Sequence, residues 1–433
     1  MNIGVVGLGF LAMLSLMFLS FPVAVAIVGV GAFGGYLFFG TPMVDMMGGV
    51  IWTSLNSPSI LAIPLFMMLG ELMLRGGIAD RMYDALAVWL NRLPGGLLHT
   101  NIATCALFSA TSGSSVATAA TVGTIALPAL EARGYRPGPS LGSLAAGGTL
   151  GILIPPSINL LVYGSLANVS VGQLFAAGLV PGILLASLFS VYILLFQGHN
   201  SQVESDPVPL RVKLAYLRFL FPPLLIFGIV MGSIYGGYAT PTESAAIGVV
   251  VALLIIAANR RLSLQLLINC SMQAARTTGM TVIVLACALL LNVTISMLGA
   301  TQAVTQWVAT FDLGQVGLIC VLIIFYLLLG MFMDAMSMLV LTVPITVPLV
   351  ASVGVDPIWF GIFIVLMCEL ALITPPVGMN LFVVQGIRTD GGNFSDVING
   401  AFPYVLIMIA FTILLLFVPQ IALWLPQALT GNP

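Results

Sequence analysis

Charge is what this sequence has least of. Only 6% of its 433 residues are Asp, Glu, Lys or Arg, and 60% are hydrophobic, whereas soluble domains carry roughly 25% charge. Mean hydropathy is +1.16. That leaves too little polar surface to cover a water-exposed globule. A soluble fold is excluded, and the bilayer has to be the solvent. Soluble-domain size does not apply to such a bundle. Net charge is −2, so the basic footprint of a nucleic-acid-binding protein is missing.

Other absences narrow the function. The five cysteines, Cys105, Cys270, Cys287, Cys320 and Cys368, form no C-x-x-C pair and have no metal-like spacing; they read as small buried hydrophobes. The histidines, His99 and His199, lie far apart in sequence. No Walker motif, zinc pattern or convergent acid/base set appears, so neither ATP hydrolysis nor enzyme activity is expected, and no cofactor. Gly29-Val30-Gly31-Ala32-Phe33-Gly34 matches G-x-G-x-x-G. It sits in an apolar stretch without a βαβ pattern or a following acid, so it reads as close helix contact, not dinucleotide binding. The apolar N-terminus lacks a basic n-region and a cleavage pattern, and is read as a span, not a signal peptide.

What is there is a series of apolar stretches, each near the roughly 20 residues a membrane span needs. Spans are predicted over Ile3–Ser20, Val23–Phe39, Ser59–Leu74, Val171–Phe196, Ala215–Tyr235, Ala245–Ala258, Thr277–Leu298 and Gly400–Trp424. Two further stretches, centred on Pro155 and Pro375, are broken by proline pairs. Lys and Arg mark cytoplasmic loops. They cluster at Arg75, Arg81 and Arg92; at Arg133 and Arg136; at Arg211, Lys213 and Arg218; at Arg260, Arg261 and Arg276; and at Arg388.

Between the basic flanks Arg92 and Arg133 lie two apolar arms, Leu97–Ala110 and Val116–Leu130, joined by Thr111-Ser112-Gly113-Ser114-Ser115. Arms of this length reach only about 22 Å as helix, short of the ~30 Å hydrocarbon core. They read as a re-entrant hairpin entering from the cytoplasm, with two ordinary spans as the alternative. A second pair of arms, Val316–Met333 and Ser337–Ser352, meets near Asp334-Ala335-Met336-Ser337, in a region (277–387) without Lys or Arg. It reads as a hairpin entering from the periplasm.

The two regions align at a shift of 220: Pro128 with Pro348, Gly134 with Gly354, Pro137 with Pro357, and Pro155-Pro156 with Pro375-Pro376. Asn159 meets Asn380 with one insertion. Opposite charge flanks make this an inverted repeat, which places solute and ion sites at mid-membrane, at broken helices. The membrane walk closes with ten spans and two hairpins, leaving both termini outside. A proline pair removes backbone donors and frees carbonyls one turn earlier, and those carbonyls need partners in hydrocarbon. A hard cation such as sodium supplies one. The first cluster offers Ser109, Ser112, Ser114 and Ser115, with backbone oxygens around Gly148, Gly151 and Ile154. The second offers Gly330, Asp334 and Ser337, with Ala371, Thr374 and Val377. Pro kinks made for packing alone are the alternative. Intramembrane ionisable residues are functional candidates; Asp334 and Glu369 lead, Glu369 dividing evenly between ion coupling and a scaffold pairing. Glu71, Arg75, Asp80, Arg81 and Asp84, with Tyr83 and Trp89, read as an amphipathic interfacial helix.

FSATSGSSVATAATVGTIALPAL, GTLGILIPPS, MDAMSMLVLTVPITVPLV and ELALITPPVGMNLFVV resemble the large membrane subunit (M subunit) of tripartite ATP-independent periplasmic (TRAP) transporters, over nearly the whole chain. The resemblance implies an all-α, polytopic, inverted-repeat elevator-type carrier in the bacterial inner membrane. Its first sodium site would use Ser109, Ser112, Gly151, Ile154 and Pro156. Its second would use Gly330, Asp334, Ala371, Thr374 and Val377. The solute region would include Ser114, Ser115, Asn159, Ser337 and Asn380. The division expected is scaffold and amphipathic arm over 1–92, hairpin and broken helix over 93–170, a connecting helix and cytoplasmic loop over 171–212, scaffold and second arm over 213–312, second hairpin and broken helix over 313–392, and a C-terminal helix over 393–433. Expected partners are a small four-helix membrane subunit as a separate chain, a periplasmic substrate-binding protein, a small, mostly carboxylate, solute and the lipid bilayer, with no nucleic acid. The runner-up is a stand-alone sodium/carboxylate symporter of the divalent-anion type. Its tips usually carry Ser-Asn-Thr, which the Ser-Gly-Ser-Ser and Asp-Ala-Met-Ser found here disfavour.

Overall fold

A computed structural model describes residues 3–198 and 209–431. Residues 199–208, His199 among them and part of the expected cytoplasmic loop, lie outside the described residues, as do the side chains of Asp80 and Thr111. The described chain is helical. In the first half run α1 (Ile3–Phe18), α2 (Val23–Phe39), α3 (Thr41–Leu55), α4 (Pro58–Arg75), α5 (Ile78–Leu90), α6 (Leu97–Ser112), α7 (Ser115–Glu131), α8 (Pro137–Thr149), a 3-10 turn (Leu150–Ile152), α9 (Ile158–Ala167) and α10 (Val171–Phe196). In the second run α11 (Leu210–Leu217), α12 (Phe221–Tyr235), α13 (Pro241–Ala258), α14 (Leu264–Met297), α15 (Ala300–Ala309), α16 (Gln315–Gly330), α17 (Ala335–Ala351), α18 (Pro357–Ile373), α19 (Met379–Gly386), α20 (Phe394–Phe417) and α21 (Gln420–Thr430).

The repeat is visible in the element order. A short amphipathic helix (α5, α15), a helical hairpin (α6–α7, α16–α17), a helix broken at a proline pair (α8–α9, α18–α19) and a long apolar helix (α10, α20) follow one another twice. The local causes repeat too. Left-handed Gly77 and Gly299 start the short helices, left-handed Gly134 and Gly354 turn the chain out of each hairpin, and both proline pairs are joined by cis peptide bonds. Only glycine takes such positive φ without strain.

Among the described residues, four helices are long and apolar enough to cross a bilayer by themselves: α10, α13, α14 and α20. Several boundaries differ from those predicted. The Ala215–Tyr235 span is two helices, α11 and α12, bent by 42° where Pro222 and Pro223 start the second. Gly400–Trp424 is cut at Val418-Pro419, because proline cannot continue the ladder. Thr277–Leu298 is the later part of the 34-residue α14. The helix α3, with polar Asp45 and Thr53 in its length, was not predicted. The first hairpin break is tighter than expected, at Gly113-Ser114, and the second lies earlier than expected, over residues 331–334, with Ala335 already in α17.

The centre of the bundle is a pair of unlike helices. Every residue of α18 from Trp359 to Ile373 is buried, and so is every residue of α8 from Ser140 to Thr149. One is rich in Phe, Ile and Leu; the other is Gly, Ser and Ala with little bulk. Small residues let backbones approach: a Cβ on Gly142 would lie 2.0 Å from the Gly400 carbonyl oxygen of α20. The Tyr163 hydroxyl donates to the Pro357 carbonyl at 2.6 Å. The first broken helix thus begins beside the element that follows the second, and ends beside the second one's start. The two broken helices run antiparallel, as inverted repeats require. In α2, Gly31 of the G-x-G-x-x-G stretch packs against the Leu291 backbone, and its carbonyl accepts from Thr294 Oγ1 at 2.9 Å. That is helix contact.

Gly142→Leu is expected to lower stability by about 1–3 kcal/mol or more, the range for overpacking. Thermal unfolding of detergent-solubilised protein checks this. Gly228→Leu, where nothing lies within 4 Å of the added Cβ, is expected to unfold like wild type.

Candidate functional site

Each hairpin ends in a capped helix start, and the cap residue decides what the tip presents. Ser114 caps α7, its Oγ accepting from Ala117 N at 3.4 Å, and Thr118 Oγ1 donates back to the Ser114 carbonyl at 2.7 Å. Asp334 caps α17. Its carboxylate accepts from the N–H groups of Met336 at 3.1 Å and Ser337 at 3.2 Å, and from the Ser337 hydroxyl. The two tips are equivalents at the 220 shift, and one carries a carboxyl group where the other carries a hydroxyl.

The tips meet at one place. A cavity of about 170 Å³ is lined by Gly113, Ser114 and Ser115 of the first hairpin, Asp334 and Met336 of the second, and Asn159 at the start of α9. Of the residues predicted to contact solute, Ser114, Ser115 and Asn159 line it, and so does Asp334. Ser337 sits one shell behind, bonded to Asp334. Asn380 is also behind the wall: its amide donates to Ser115 Oγ at 2.8 Å and to the Ala145 carbonyl at 3.2 Å, tying the second repeat to the first. Ser115 Oγ in turn donates to the Gly148 carbonyl at 2.9 Å. The matching amide nitrogen, Asn159 Nδ2, is buried without a hydrogen-bond partner among the described residues. Two symmetry-related asparagines therefore do different work: one is structural, and one borders the cavity with an unused donor.

The carbonyls beside the proline pairs are arranged as chemistry requires. Residue 155 has no N–H, so the Gly151 carbonyl lacks its helical donor; the Ile152 carbonyl is satisfied by Ser157 Oγ at 2.5 Å. In the second repeat, Thr374 Oγ1 satisfies the Leu370 carbonyl at 2.6 Å, while the Ala371 carbonyl faces the missing donor of Pro375. A Cβ on Gly151 would fall 2.8 Å from the Ser114 carbonyl, and one on Gly330 would fall 2.6 Å from Ala371 Cβ. Each break is thus clamped against its own hairpin. Pro156 belongs to the first clamp, since its carbonyl would lie 2.9 Å from a Cβ on left-handed Gly113. Ser112 Oγ shares a hydrogen bond with Thr118 Oγ1 at 2.9 Å, and Ser109 Oγ donates to the Cys105 carbonyl at 2.5 Å. The Ile154 side chain packs on Gly182 of α10, so only its backbone is available to this region. Val377 is half-buried in the turn between α18 and α19. Gly113, Thr118 and Ser157 were not singled out from sequence. The glycine in a Ser/Gly tip and hydroxyls at cap spacing were the signals available.

Glu369 lies in α18, fully buried, and neither carboxylate oxygen has a hydrogen-bond partner among the described residues; the scaffold ion pair considered for it is not formed there. Tyr83, expected at the interface, is buried and donates to Asn101 Oδ1 at 3.2 Å. It pins α5 to α6. Trp89 behaves as expected, exposed and under the Lys213 ammonium at 5.5 Å. Cys320 is exposed on α16 and Cys287 is half-buried, while the other cysteines are buried. His99 is buried, its Nε2 2.9 Å from the Pro94 carbonyl.

A helical bundle with two antiparallel broken helices and a polar cavity between two hairpin tips defines a polytopic membrane permease. The chain belongs to the tripartite ATP-independent periplasmic transporter family, DctM component, whose model matches residues 10–421. The C4-dicarboxylate TRAP transporter large permease protein DctM of Pseudomonas aeruginosa is 35% identical over 85% of this chain and 86% of its own length. The isethionate TRAP transporter permease protein DctMQ of Oleidesulfovibrio alaskensis is 31% identical over 93% of this chain and 63% of its own. Among solved structures, the YdaH transporter of Alcanivorax borkumensis shares the fold, with TM-score 0.62, 15% identity, and coverage of 90% of this chain and 89% of that one. The chain is therefore a multi-pass protein of the bacterial inner membrane and the large permease component of a secondary solute uptake system.

Asn380→Ala removes two hydrogen bonds across the repeats and is expected to lower stability by about 1–3 kcal/mol. Asn159→Ala removes none and is expected to stay within about 0.5 kcal/mol of wild type. Equal losses of thermal stability in the two variants would contradict the division of labour between the asparagines.

Proposed function

We infer that this permease takes up a small anionic solute, of the carboxylate type, together with sodium. The observation that carries the reading is the cavity between the hairpin tips, bordered by Ser114, Ser115 and Asp334 and by the Asn159 amide nitrogen, which is unpaired among the described residues. The Asn159 amide and the Ser114 hydroxyl are donors that suit a carboxylate or a sulfonate, and the relatives are named for a C4-dicarboxylate and for isethionate. Sodium supplies the positive charge that the cavity wall lacks. Its ligands are the carbonyls of Gly151, Ile154 and Pro156 with Ser109 and Ser112 in one repeat, and of Gly330, Ala371 and Val377 with Thr374 and Asp334 in the other. The carbonyls freed at the proline pairs support this, since hydrocarbon offers them no other donor.

Binding in one moving unit follows. Residues 93–170 and 313–392, the hairpins and broken helices, form a transport domain. The elements within 1–92, 171–312 and 393–433 form the scaffold and its connections, against which that domain shifts in an elevator movement. The hairpins are re-entrant: α6 and α16 have 16 residues each, about 24 Å of helix. The basic loops face the cytoplasm and both termini face the periplasm. The solute arrives from a periplasmic binding protein, and a small four-helix membrane subunit completes the tripartite system.

The test is solute uptake into proteoliposomes under an imposed sodium gradient, with and without the two partner proteins. Uptake is expected to need the gradient and both partners. Ser112→Ala and Thr374→Ala are each expected to raise the half-saturating sodium concentration roughly fivefold, as the loss of about 1 kcal/mol predicts. Uptake indifferent to sodium would refute the coupling, and uptake by this chain alone would make it a stand-alone symporter.

A further inference from the structure

Far from the hairpin tips, a second cavity of about 470 Å³ opens where several membrane helices end on the basic side of the bundle. Its wall is made by the end of α4, the start of α5, the start of α12 and the segment after α13. Three guanidiniums line it, Arg81, Arg218 and Arg261, and none of its lining residues is acidic among the described residues. No ion pair engages these three arginines among the described residues; the pairs formed there are Arg75 with Glu71, and Arg388 with Asp390 and Asp396. Like charges gathered in one concavity repel one another unless an anion lies between them.

The arginines are also held in place. Arg81 and Arg218 stand over the same Phe219 ring, at 5.5 and 4.7 Å. The Arg261 guanidinium lies on Gly77, where an added Cβ would sit 1.8 Å from Nη1. Gly77 is the left-handed N-cap of the 13-residue α5 and has no side chain to cap it. The N–H groups of the first turn of α5 have no intrahelical acceptor, and with the positive end of the helix dipole they adjoin the same cavity. Three guanidiniums and an uncapped helix N-terminus form an anion site of the phosphate-binding kind.

The surroundings say which phosphate. Beside the cavity, α12 and α13 present exposed apolar side chains, Phe221, Leu224 and Leu254, suited to acyl chains. Basic pockets at helix ends on the cytoplasmic side hold anionic headgroups. We propose that this cavity binds the phosphate of an anionic phospholipid, such as phosphatidylglycerol, whose acyl chains lie along α12 and α13. The lipid then bridges α4, α5, α12 and α13, and α5 is the element that Tyr83 fastens to the first hairpin.

Native mass spectrometry of the detergent-purified chain, titrated separately with phosphatidylglycerol, phosphatidylcholine and inorganic phosphate, tests the assignment. A single retained phosphatidylglycerol is expected, in preference to phosphatidylcholine. Arg81→Gln, Arg218→Gln and Arg261→Gln are each expected to weaken its retention roughly fivefold, the effect of one basic residue at a lipid surface. Arg133→Gln, on the first hairpin's loop, is expected to change nothing. Equal retention of phosphatidylcholine, or three variants that hold phosphatidylglycerol as wild type does, would overturn the proposal. Displacement by inorganic phosphate at matching concentration would overturn the lipid and leave a free-anion site. The three arginines sit on separate elements, so a variant that fails to fold leaves two that still decide the question.

Discussion

A peptide carbonyl buried among apolar side chains has to find a donor, and two proline pairs deny it one at the centre of this bundle. Pro155-Pro156 and Pro375-Pro376 interrupt helices whose stretches before the break, Ser140 to Thr149 and Trp359 to Ile373, are buried at every residue. The consequences spread outward. The breaks need hydroxyls nearby: Ser157 bonds the freed Ile152 carbonyl, and Thr374 bonds the Leu370 carbonyl where α18 ends. The breaks also need hairpins closed tightly over them, which is why Gly151 and Gly330 allow no side chain. Clamping each break by its own hairpin carries both tips to one cavity.

The antiparallel arrangement of the repeats makes that convergence possible, and unequal packing makes it stable. The helix α8 has almost no bulk, so α20, α7 and α6 crowd onto it, while α18 fills the remaining volume with large side chains. Asn380 crosses from one repeat to bond to Ser115 and Ala145 of the other. Its counterpart Asn159 makes no such crossing. Pseudo-symmetry is broken at Asn159, which borders the cavity with a donor unused among the described residues, and also at the helix caps, where the Ser114 hydroxyl answers to the Asp334 carboxyl.

Much of this was legible in the residues. Composition excluded water as the solvent, and the 220 shift exposed the repeat because proline and glycine mark backbone events that side-chain drift does not erase. Hairpin arms, proline breaks and the amphipathic helix after Arg75 fell where hydropathy and turn chemistry put them. The failures have physical causes. Gly400–Trp424 was read through Pro419 because window hydropathy is blind to a single missing donor. Tyr83 reads as an interfacial residue from the amphipathic pattern of its own helix, but the partner that buries it, Asn101, lies on another helix. The helix α3 was missed because its polar residues diluted the apolar signal.

The sequence by itself determined the solvent, the helical class, the repeat and the places where the backbone ladder must fail, since all of these follow from residue type and local spacing. The tertiary structure alone decided which freed carbonyls meet which hairpin, that the two tips share one cavity, and that Asn159 and Asn380 have different partners. It alone also gathered Arg81, Arg218 and Arg261 around one helix start. Contacts between residues far apart in the chain, up to the 265 positions between Ser115 and Asn380, depend on how helices cross, and crossing is set by the packing of whole faces, which no local pattern encodes.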